Sequence, residues 1–299
     1  MTAVFRSGLV TLVGRPNVGK STLLNQLLGR HLSISSRRPQ TTRHRILGIK
    51  TLSDAQIVYV DTPGLHPETT KPLNRYMNRV ARASLEGVDC IVLVTSAGRW
   101  KGEDDYPLGL VQQLHQPVVL VINKIDRLAS RAELLPMIDR LRAKMNFAAV
   151  VPLSAKTGEN VSELERVVRA YLPEQPPIYP ADQVTDRSES DIAAEIVREQ
   201  IFRRYGQEVP YASAVQVEGL RRVKGVMEID AVIWVEKEGQ KAILVGKGGE
   251  SLKIVGREAR LVMQRLFGCK VRLGLWVKVR AGWSASERSL QALGYREDH

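Results

Sequence analysis

The stretch of sequence that decides the fold is Gly14-Arg-Pro-Asn-Val-Gly-Lys-Ser21. It matches the pattern G-x-x-x-x-G-K-[ST], in which a glycine-rich loop wraps a phosphate. The loop follows an apolar run at 9–13 and precedes a helical pattern at 21–28. Because this is the strand–loop–helix context that the pattern requires, a simple glycine turn is the weaker interpretation, and we predict a phosphate-binding loop.

The groups of this loop have separate expected roles. Backbone N–H groups and the helix N-terminus attract the anion, Lys20 would neutralise the β- and γ-phosphates, and the Ser21 hydroxyl would bind Mg²⁺. The nucleotide-binding residues predicted here are Gly14, Arg15, Pro16, Asn17, Val18, Gly19, Lys20, Ser21 and Thr22.

Three further motifs follow apolar runs, and they favour GTP over ATP. In open α/β sheets ligands bind at the carboxyl ends of the strands. Asp126, in Asn123-Lys-Ile-Asp126, can accept from both N1–H and the N2 amine of guanine, a donor pair that adenine lacks. The predicted nucleotide-binding residues of these motifs are Asp61, Thr62, Pro63, Gly64, Asn123, Lys124, Asp126, Ser154, Ala155 and Lys156.

A basic stretch at 37–45 has no acidic residue. It is either a solvated loop or a switch segment in which Thr42 completes Mg²⁺ coordination when a γ-phosphate is present, with Thr41 as the competing candidate. The predicted metal ligands are therefore Ser21, Thr42 and Asp61, the last acting through water.

The fold of the first half follows from alternating patterns. Short, nearly continuous Val- and Ile-rich runs are typical of strands buried on both faces of a parallel sheet. We therefore predict a doubly wound α/β domain. The expected strands are 9–13, 56–60, 90–94, 118–122 and 150–153, and the expected helices are 21–28, 73–85, 106–114, 132–144 and 160–171.

Composition narrows the class of protein. The 299 residues, 43% hydrophobic and 25% charged, are enough for about two globular domains. We expect no signal peptide and no transmembrane helix. Two cysteines cannot build a disulfide framework or a zinc site. We therefore expect a cytosolic protein. The net charge of +12 favours a polyanionic partner, and residues 241–280 hold ten Lys or Arg against two Asp or Glu.

A proline-rich stretch at 173–180 separates this domain from a different pattern. We predict a domain at 1–172, a semi-rigid linker at 173–181, and a smaller α+β domain with a C-terminal tail at 182–299. The second domain is expected to contain helices at 190–205 and 250–267 and strands at 211–218, 227–236, 241–245 and 271–279.

A second glycine loop lies before the 250–267 helix, and basic residues at spacings of four and three share one face of that helix. The alternatives are a solvated helix face and an RNA-binding track. Trp276, among cations on the last strand, either stacks a base or packs under a helix. The RNA-binding candidates are Gly246, Lys247, Gly248, Gly249, Lys253, Arg257 and Arg260.

These motifs, together with 39–45 and 179–187, make the chain resemble translation-factor-related GTPases along nearly its whole length. More narrowly, it resembles bacterial ribosome-assembly GTPases with a C-terminal KH domain, whose Gly-x-x-Gly loop clamps an RNA backbone. The resemblance implies GTP binding and hydrolysis with Mg²⁺, binding to the 3′ end of small-subunit ribosomal RNA, and a role in 30S subunit assembly.

The resemblance also bears on catalysis. Ras-like enzymes place a glutamine after Asp-x-x-Gly to orient the attacking water, but this position is Leu65. Similar GTPases often use an asparagine of the phosphate loop to bind K⁺, and Asn17 is at that position; the alternative is a turn residue. We expect a slow, K⁺-stimulated GTPase with Lys20, Asn17, Thr42 and Gly64 as catalytic candidates.

Two other functional classes compete with this interpretation. A metabolic phosphotransferase would need an acceptor site and a base near the γ-phosphate, and neither is visible in the sequence. A peripheral membrane GTPase would use its basic patches to contact anionic lipid at the inner membrane face. We expect a monomer whose partners are GTP, GDP, ribosomal RNA and the 30S subunit.

Overall fold

A computed structural model of the chain describes residues 4–34, 41–65, 71–98, 100–206 and 208–295. Part of the predicted switch segment, 37–40, lies outside these residues. The chain divides into two compact units, and passes from the first to the second between Asp186 and Arg187. Residues 71–76 group with the second unit.

A six-stranded sheet forms the centre of the first unit, with strand order β2-β3-β1-β4-β5-β6. All neighbouring strands are parallel except β2 and β3, which are antiparallel. The strands are β1 (Arg6–Val13), β2 (Ile46–Thr51), β3 (Ala55–Asp61), β4 (Cys90–Ser96), β5 (Val118–Asn123) and β6 (Ala149–Pro152).

Helices cover both faces of this sheet, which confirms the doubly wound fold. One hydrophobic core contains side chains of α1 and α5, and a second core on the other face contains side chains of α2, α3 and α4. The strand side chains between these two layers are buried, as the continuous apolar runs predicted. The helices are α1 (Lys20–Leu28), α2 (Pro72–Ala83), α3 (Gly102–Val111), α4 (Leu134–Arg142) and α5 (Val161–Arg169).

The edge strand β2 is antiparallel to β3, so the expectation of an all-parallel sheet is wrong. The sequence patterns predicted no element at 46–51. β2 lies so close to α1 that a Cβ on Gly48 would be 2.6 Å from a methyl group of Leu28. This close approach explains the glycine in the middle of a strand.

The proline-rich segment lies along the first unit and is held by specific hydrogen bonds. The side-chain oxygen of Gln56, in β3, accepts from the backbone N–H groups of Ile178 and Tyr179 at 2.8 and 2.9 Å. Further along, the Ile49 N–H donates to the carbonyl of Val184 at 2.8 Å, on the outer side of β2. The chain from 173 to 186 is thus tied to the sheet as well as stiffened by proline.

The second unit has a three-stranded sheet in the order β7-β8-β9, in which β7 and β8 are antiparallel and β8 and β9 are parallel. Val197 in α6 and Val255 in α8 pack with Ile229 and Ile233 of β8 in one core. The elements are α6 (Glu189–Arg204), β7 (Ala214–Val223), β8 (Val226–Val235), α7 (Glu238–Val245), α8 (Glu250–Phe267), β9 (Lys270–Val279) and α9 (Glu287–Ala292).

The predicted strand at 241–245 is wrong, because these residues belong to helix α7. Gln240 and Leu244 are buried while Ala242 and Ile243 are exposed, which is the spacing of one helix face. The Gln240 side chain also accepts from the N–H groups of Glu236 and Lys237 and so fixes the helix start. In the part of the chain that the structure describes, no helix is long and apolar enough to cross a membrane.

Candidate nucleotide and nucleic-acid sites

The phosphate loop lies between β1 and α1 and needs glycine at two positions. Gly14 has φ +150°, and a Cβ there would be 2.3 Å from the carbonyl oxygen of Val94. Gly19 has φ +103°, and a Cβ there would be 2.4 Å from Nδ2 of Asn123. Side chains at these positions would push the loop away from its supports, so the glycines permit a tightly enclosed loop.

Lys20 is buried at the base of this loop. Its Nζ donates to the carbonyl oxygens of Gly14 at 2.9 Å and Arg15 at 3.2 Å. Burial lowers the pKa of Lys20 to about 8, Asp61 acts in the opposite direction, and Arg15 lowers it further. A bound phosphate would provide a negatively charged partner for this buried ammonium and stabilise its charged form.

The three predicted metal ligands lie together. Ser21 Oγ and Thr42 Oγ1 are 2.8 Å apart, and Thr42 Oγ1 donates to Oδ2 of Asp61 at 3.4 Å. Ser33, which the sequence patterns did not indicate, donates to the same Oδ2 at 2.8 Å.

The carboxylate of Asp61 is completely buried and leaves one oxygen for a ligand. Burial raises the pKa of Asp61, while Lys20 and the hydroxyl donors oppose that shift. Its Oδ1 has no hydrogen-bond partner among the described residues. Two hydroxyls and a buried carboxylate with an unused oxygen are hard donors, so these residues fit Mg²⁺.

The residues after Asp61 point in different directions. The Thr62 hydroxyl donates to the carbonyl of Leu12 at 2.8 Å, so this side chain fixes the strand end instead of facing the loop. A Cβ on Gly64 would be 2.7 Å from Cγ of Pro16, which shows how closely this backbone approaches the phosphate loop. Leu65 is buried in the core with Val13, and cannot orient a water molecule.

The predicted base-binding end is held together by Asn123. Its Nδ2 donates to the carbonyl of Val18 at 2.8 Å, and its Oδ1 accepts from the N–H of Ala155 at 2.9 Å. The Ser154 hydroxyl donates to Asp126 at 2.7 Å and fixes one of its carboxylate oxygens. Asn123 therefore connects the phosphate loop to the two loops that would surround a base.

Lys124 makes a second connection to the phosphate loop, because its Nζ donates to the carbonyl of Asn17. Burial lowers the pKa of Lys124 to about 8, with smaller contributions from Arg127 and Arg15. Lys156, the last predicted residue of this end, is exposed.

Arg15 is in the predicted loop, but its guanidinium is directed elsewhere. Nε donates to Oδ1 of Asp104 at 3.0 Å, and Nη2 donates to the hydroxyl of Ser96 at 3.0 Å. Both members of the ion pair are buried. The Arg15 side chain thus anchors the loop to the protein interior.

The cavity at the loop is lined by Pro16, Asn17, Gly19, Lys20, Ser21, Thr22, Ile34, Thr41, Thr42 and Gly64.

A groove of about 400 Å³ lies in the second unit, between α8 and β9. It brings together the three predicted cations of α8 and adds apolar side chains that the sequence patterns had not assigned to a site. The lining residues are Gly249, Leu252, Lys253, Gly256, Arg257, Arg260, Leu273 and Leu275.

The glycine loop at one end of this groove is open. Gly246 has φ +71°, and a Cβ there would be 2.6 Å from Cβ of Ser251. Gly248 and Gly249 also have positive φ values, +61° and +79°, but a Cβ on either would meet nothing within 4 Å. Lys247, between Gly246 and Gly248, is exposed. An extended backbone could therefore approach this loop from solvent.

Known families and solved structures are similar to the chain along most of its length. A family described as 50S ribosome-binding GTPases matches residues 9–124, and the KH domain family matches 208–284. GTPase Era of Coxiella burnetii (strain Dugway 5J108-111) is 52% identical over 290 residues, which cover 97% of this chain and 98% of the relative.

Two solved structures of Era, each 38% identical, cover 98% of this chain and 100% of their own. An Aquifex aeolicus variant bound to GDP and AlF₄⁻ has a TM-score of 0.95. A complex with MgGDPNP and nucleotides 1506–1542 of 16S ribosomal RNA has a TM-score of 0.94.

The fold and the sites define a P-loop GTPase followed by a KH domain. Within that class, the chain belongs to the GTPase Era family. The expected fold class and the expected GTPase activity are both confirmed by this membership.

Proposed function

We propose that the protein is a Mg²⁺-dependent GTP switch that binds the 3′ end of 16S ribosomal RNA and acts in assembly of the 30S subunit. One observation carries the proposal. Asn123 hydrogen-bonds both the phosphate loop and Ala155, in the loop whose Ser154 orients Asp126. The predicted base-binding residue is thereby fixed relative to the predicted metal ligands Ser21, Thr42 and Asp61. The RNA partner is supported by the groove beside the Gly-x-x-Gly loop and by the RNA bound to the Era relative.

Each end of the nucleotide would meet a different chemical group. The Asp126 carboxylate, oriented by Ser154, would accept from the guanine N1–H and N2 amine. Lys20 and the loop N–H groups would bind the β- and γ-phosphates. Mg²⁺, held by Ser21, Thr42 and Asp61, would offset phosphate charge. The γ-phosphate would thereby order the segments around Thr42 and Gly64, and its loss would release them.

The attacking water needs an orienting group other than Leu65, which is buried. We propose that the backbone near Gly64 provides part of this function, and that K⁺ bound by Asn17 stabilises charge on the phosphates. Asn17 is exposed and lines the cavity, so its side chain is available to a cation there.

This catalytic assignment predicts a slow GTPase that K⁺ stimulates. Single-turnover hydrolysis in matched KCl and NaCl buffers should be about tenfold or more faster in KCl. Asn17→Ala should remove that difference while leaving GDP affinity within a few fold. Equal rates in the two salts for the unchanged protein would contradict the role of K⁺.

The RNA backbone would lie along the α8–β9 groove. Gly246, Gly248 and Gly249 allow close approach, while Lys247, Lys253, Arg257 and Arg260 supply positive charge. We propose a functional division into a GTPase domain at 1–172, a connecting segment at 173–181 and an RNA-binding domain at 182–299, of which residues 182–186 stay with the first unit through their bonds to β2. The nucleotide state would control how tightly RNA is bound.

Two substitutions test the two binding functions separately. Asp126→Asn should weaken GTP binding and favour xanthosine triphosphate, because the amide cannot accept from both guanine donors. Gly248→Asp should abolish binding of the 1506–1542 RNA and leave GDP affinity unchanged, because it adds bulk and negative charge to the clamp. Calorimetry and fluorescence anisotropy measure the two affinities. Retained GTP preference or retained RNA affinity would contradict the respective assignment.

We propose a monomer that acts in the cytoplasm, where ribosomal subunits are assembled. Light scattering of the purified chain tests the oligomeric state. Peripheral membrane contact is the alternative prediction, and flotation with anionic vesicles in competition with RNA tests it, since both partners would use basic residues.

A further inference from the structure

The sheet of the second unit has one face that the helices leave open. We define this open face by residues of β7, β8 and β9 whose side chains lie opposite the core. Trp276 on β9 is 49% exposed there, so the expectation that it packs under a helix is wrong. The open face comprises Arg221, Glu228, Asp230, Trp234, Arg272, Trp276 and Lys278.

The indole of Trp276 is held flat against its own strand. A Cβ on Gly274 would be 2.7 Å from Cη2 and 3.0 Å from Cζ3 of the indole, so the ring lies across the glycine. Gly274 is thus the residue that allows this ring position. An aromatic ring fixed on a sheet and half exposed can stack a base without losing much side-chain entropy.

A carboxylate lies next to this ring. Asp230 pairs with Gly219 on one side and Gly274 on the other, so both neighbouring positions lack side chains. The Cβ position at Gly274 is 2.7 Å from Oδ1 of Asp230. Asp230 is exposed, and the nearby Arg221, with which it interacts electrostatically, donates its hydrogen bond to Glu228 instead. It can therefore accept from the amine of a base stacked on Trp276.

Two arginines flank this depression. Arg221 and Arg272 both contact Glu228, each at 2.7 Å. Their side chains are 72% and 76% exposed, whereas Glu228 is 16% exposed. Glu228 and the neighbouring Asp230 together balance the two guanidiniums in charge, and the arginines are the groups that protrude. Lys278 lies on the other side, with its Nζ 5.6 Å from the centre of the Trp234 ring and 3.2 Å from the carboxylate of Glu218.

We infer that the open face is a second RNA-binding surface, on which a base stacks on Trp276 and donates to Asp230 while Arg221 and Arg272 contact phosphates. This inference rests on the proposed RNA-binding function. A Gly-x-x-Gly groove holds about four nucleotides. The RNA bound to the Era relative spans nucleotides 1506–1542, so most of it must lie outside such a groove.

The test uses the full-length protein and a fluorescently labelled RNA with the sequence of nucleotides 1506–1542. Trp276→Ala should weaken binding about tenfold or more, as expected for loss of one base stack, and Trp276→Phe should retain most of the affinity. RNA should also quench part of the intrinsic fluorescence of the unchanged protein, and Trp276→Phe should remove that part.

Leu135→Ala is the matched control, because Leu135 is an exposed apolar residue of α4 in the first unit, and RNA affinity should not change. Gly248→Asp, measured with the same RNA, separates the two claims. If it abolishes binding while Trp276→Ala binds like the unchanged protein, the open face is not an RNA site, although the groove is. If Gly248→Asp has no effect, the proposed groove function itself fails.

Discussion

The two glycine loops of this protein each lie just before a helix and contain glycines with positive φ, but one is closely packed and the other is open. Gly19 precedes α1 and Gly248 lies just before α8, and both have positive φ values, +103° and +61°. A Cβ on Gly19 would be 2.4 Å from Asn123, whereas a Cβ on Gly248 would meet nothing within 4 Å. The first loop is packed against the protein, and the second loop is open to solvent.

This difference indicates what each loop can recognise. An enclosed loop surrounds one phosphate with fixed N–H groups and a buried lysine, which suits one small ligand of defined shape. An open loop with cations along a groove can hold a long backbone without reading one particular group. Four predictions test this contrast, from the largest expected effect to the smallest.

Gly19→Ala should lower GDP affinity about a hundredfold or more, because the added Cβ must displace Asn123 or the loop itself. Calorimetric titration with GDP measures this. Gly29→Ala is the matched control, since Gly29 also has a positive φ, +63°, but has open space around it. GDP affinity that is equal in the two variants would show that the loop is not constrained by its packing.

Arg15→Ala should lower the free energy of unfolding by about 3–5 kcal/mol, because it removes the cationic partner of the buried Asp104 carboxylate and leaves only the neutral donors Thr95 and Lys101 N–H. Urea denaturation measures the change. Arg15→Ala combined with Asp104→Ala should be less destabilised than the sum of the single variants. Additive effects would mean that the pair does not hold the loop.

Arg257→Ala should reduce the salt dependence of RNA binding, because one cation–phosphate contact is lost. The slope of log K against log salt concentration should become shallower by about 0.7. Arg265→Ala is the control, since Arg265 is on the same helix but does not line the groove. The prediction is contradicted if both variants change the slope equally.

Gly248→Ala should change RNA affinity less than about tenfold, because the methyl group meets open space and only the backbone conformation is disfavoured. Fluorescence anisotropy with the 1506–1542 RNA measures the effect. A loss as large as that of Gly248→Asp would mean that bound RNA packs directly on the glycine.

Much of the fold was predictable because buried strands and helix faces require apolar residues at regular spacings in the sequence. The apolar runs at 118–122 and 90–94 became central strands, and the alternation along β9 separated core from solvent. The short run at 241–245 was ambiguous, since five mostly apolar residues fit a strand or one side of a helix. The buried pair Gln240 and Leu244, four residues apart, and the backbone bond from Lys241 N–H to the Lys237 carbonyl identify the helix.

The contacts that support the nucleotide site were not predictable, because they join distant parts of the chain. Asn123 is 105 residues from Val18, and Arg15 is 89 residues from Asp104. Motif spacing placed Ser21, Thr42 and Asp61 in one site. It gave no sign that Ser33 hydrogen-bonds Asp61, because a lone serine in a loop carries no pattern.

The strap of chain from 173 to 186 has a practical consequence for anyone who shortens this protein. Its residues cover the outer side of β2, where Gly48 pairs with Thr185 and the Thr185 hydroxyl donates to Leu47. Truncation after residue 172 would leave that strand with unpaired donors and acceptors, a template for aggregation. A soluble GTPase fragment should therefore end after Asp186.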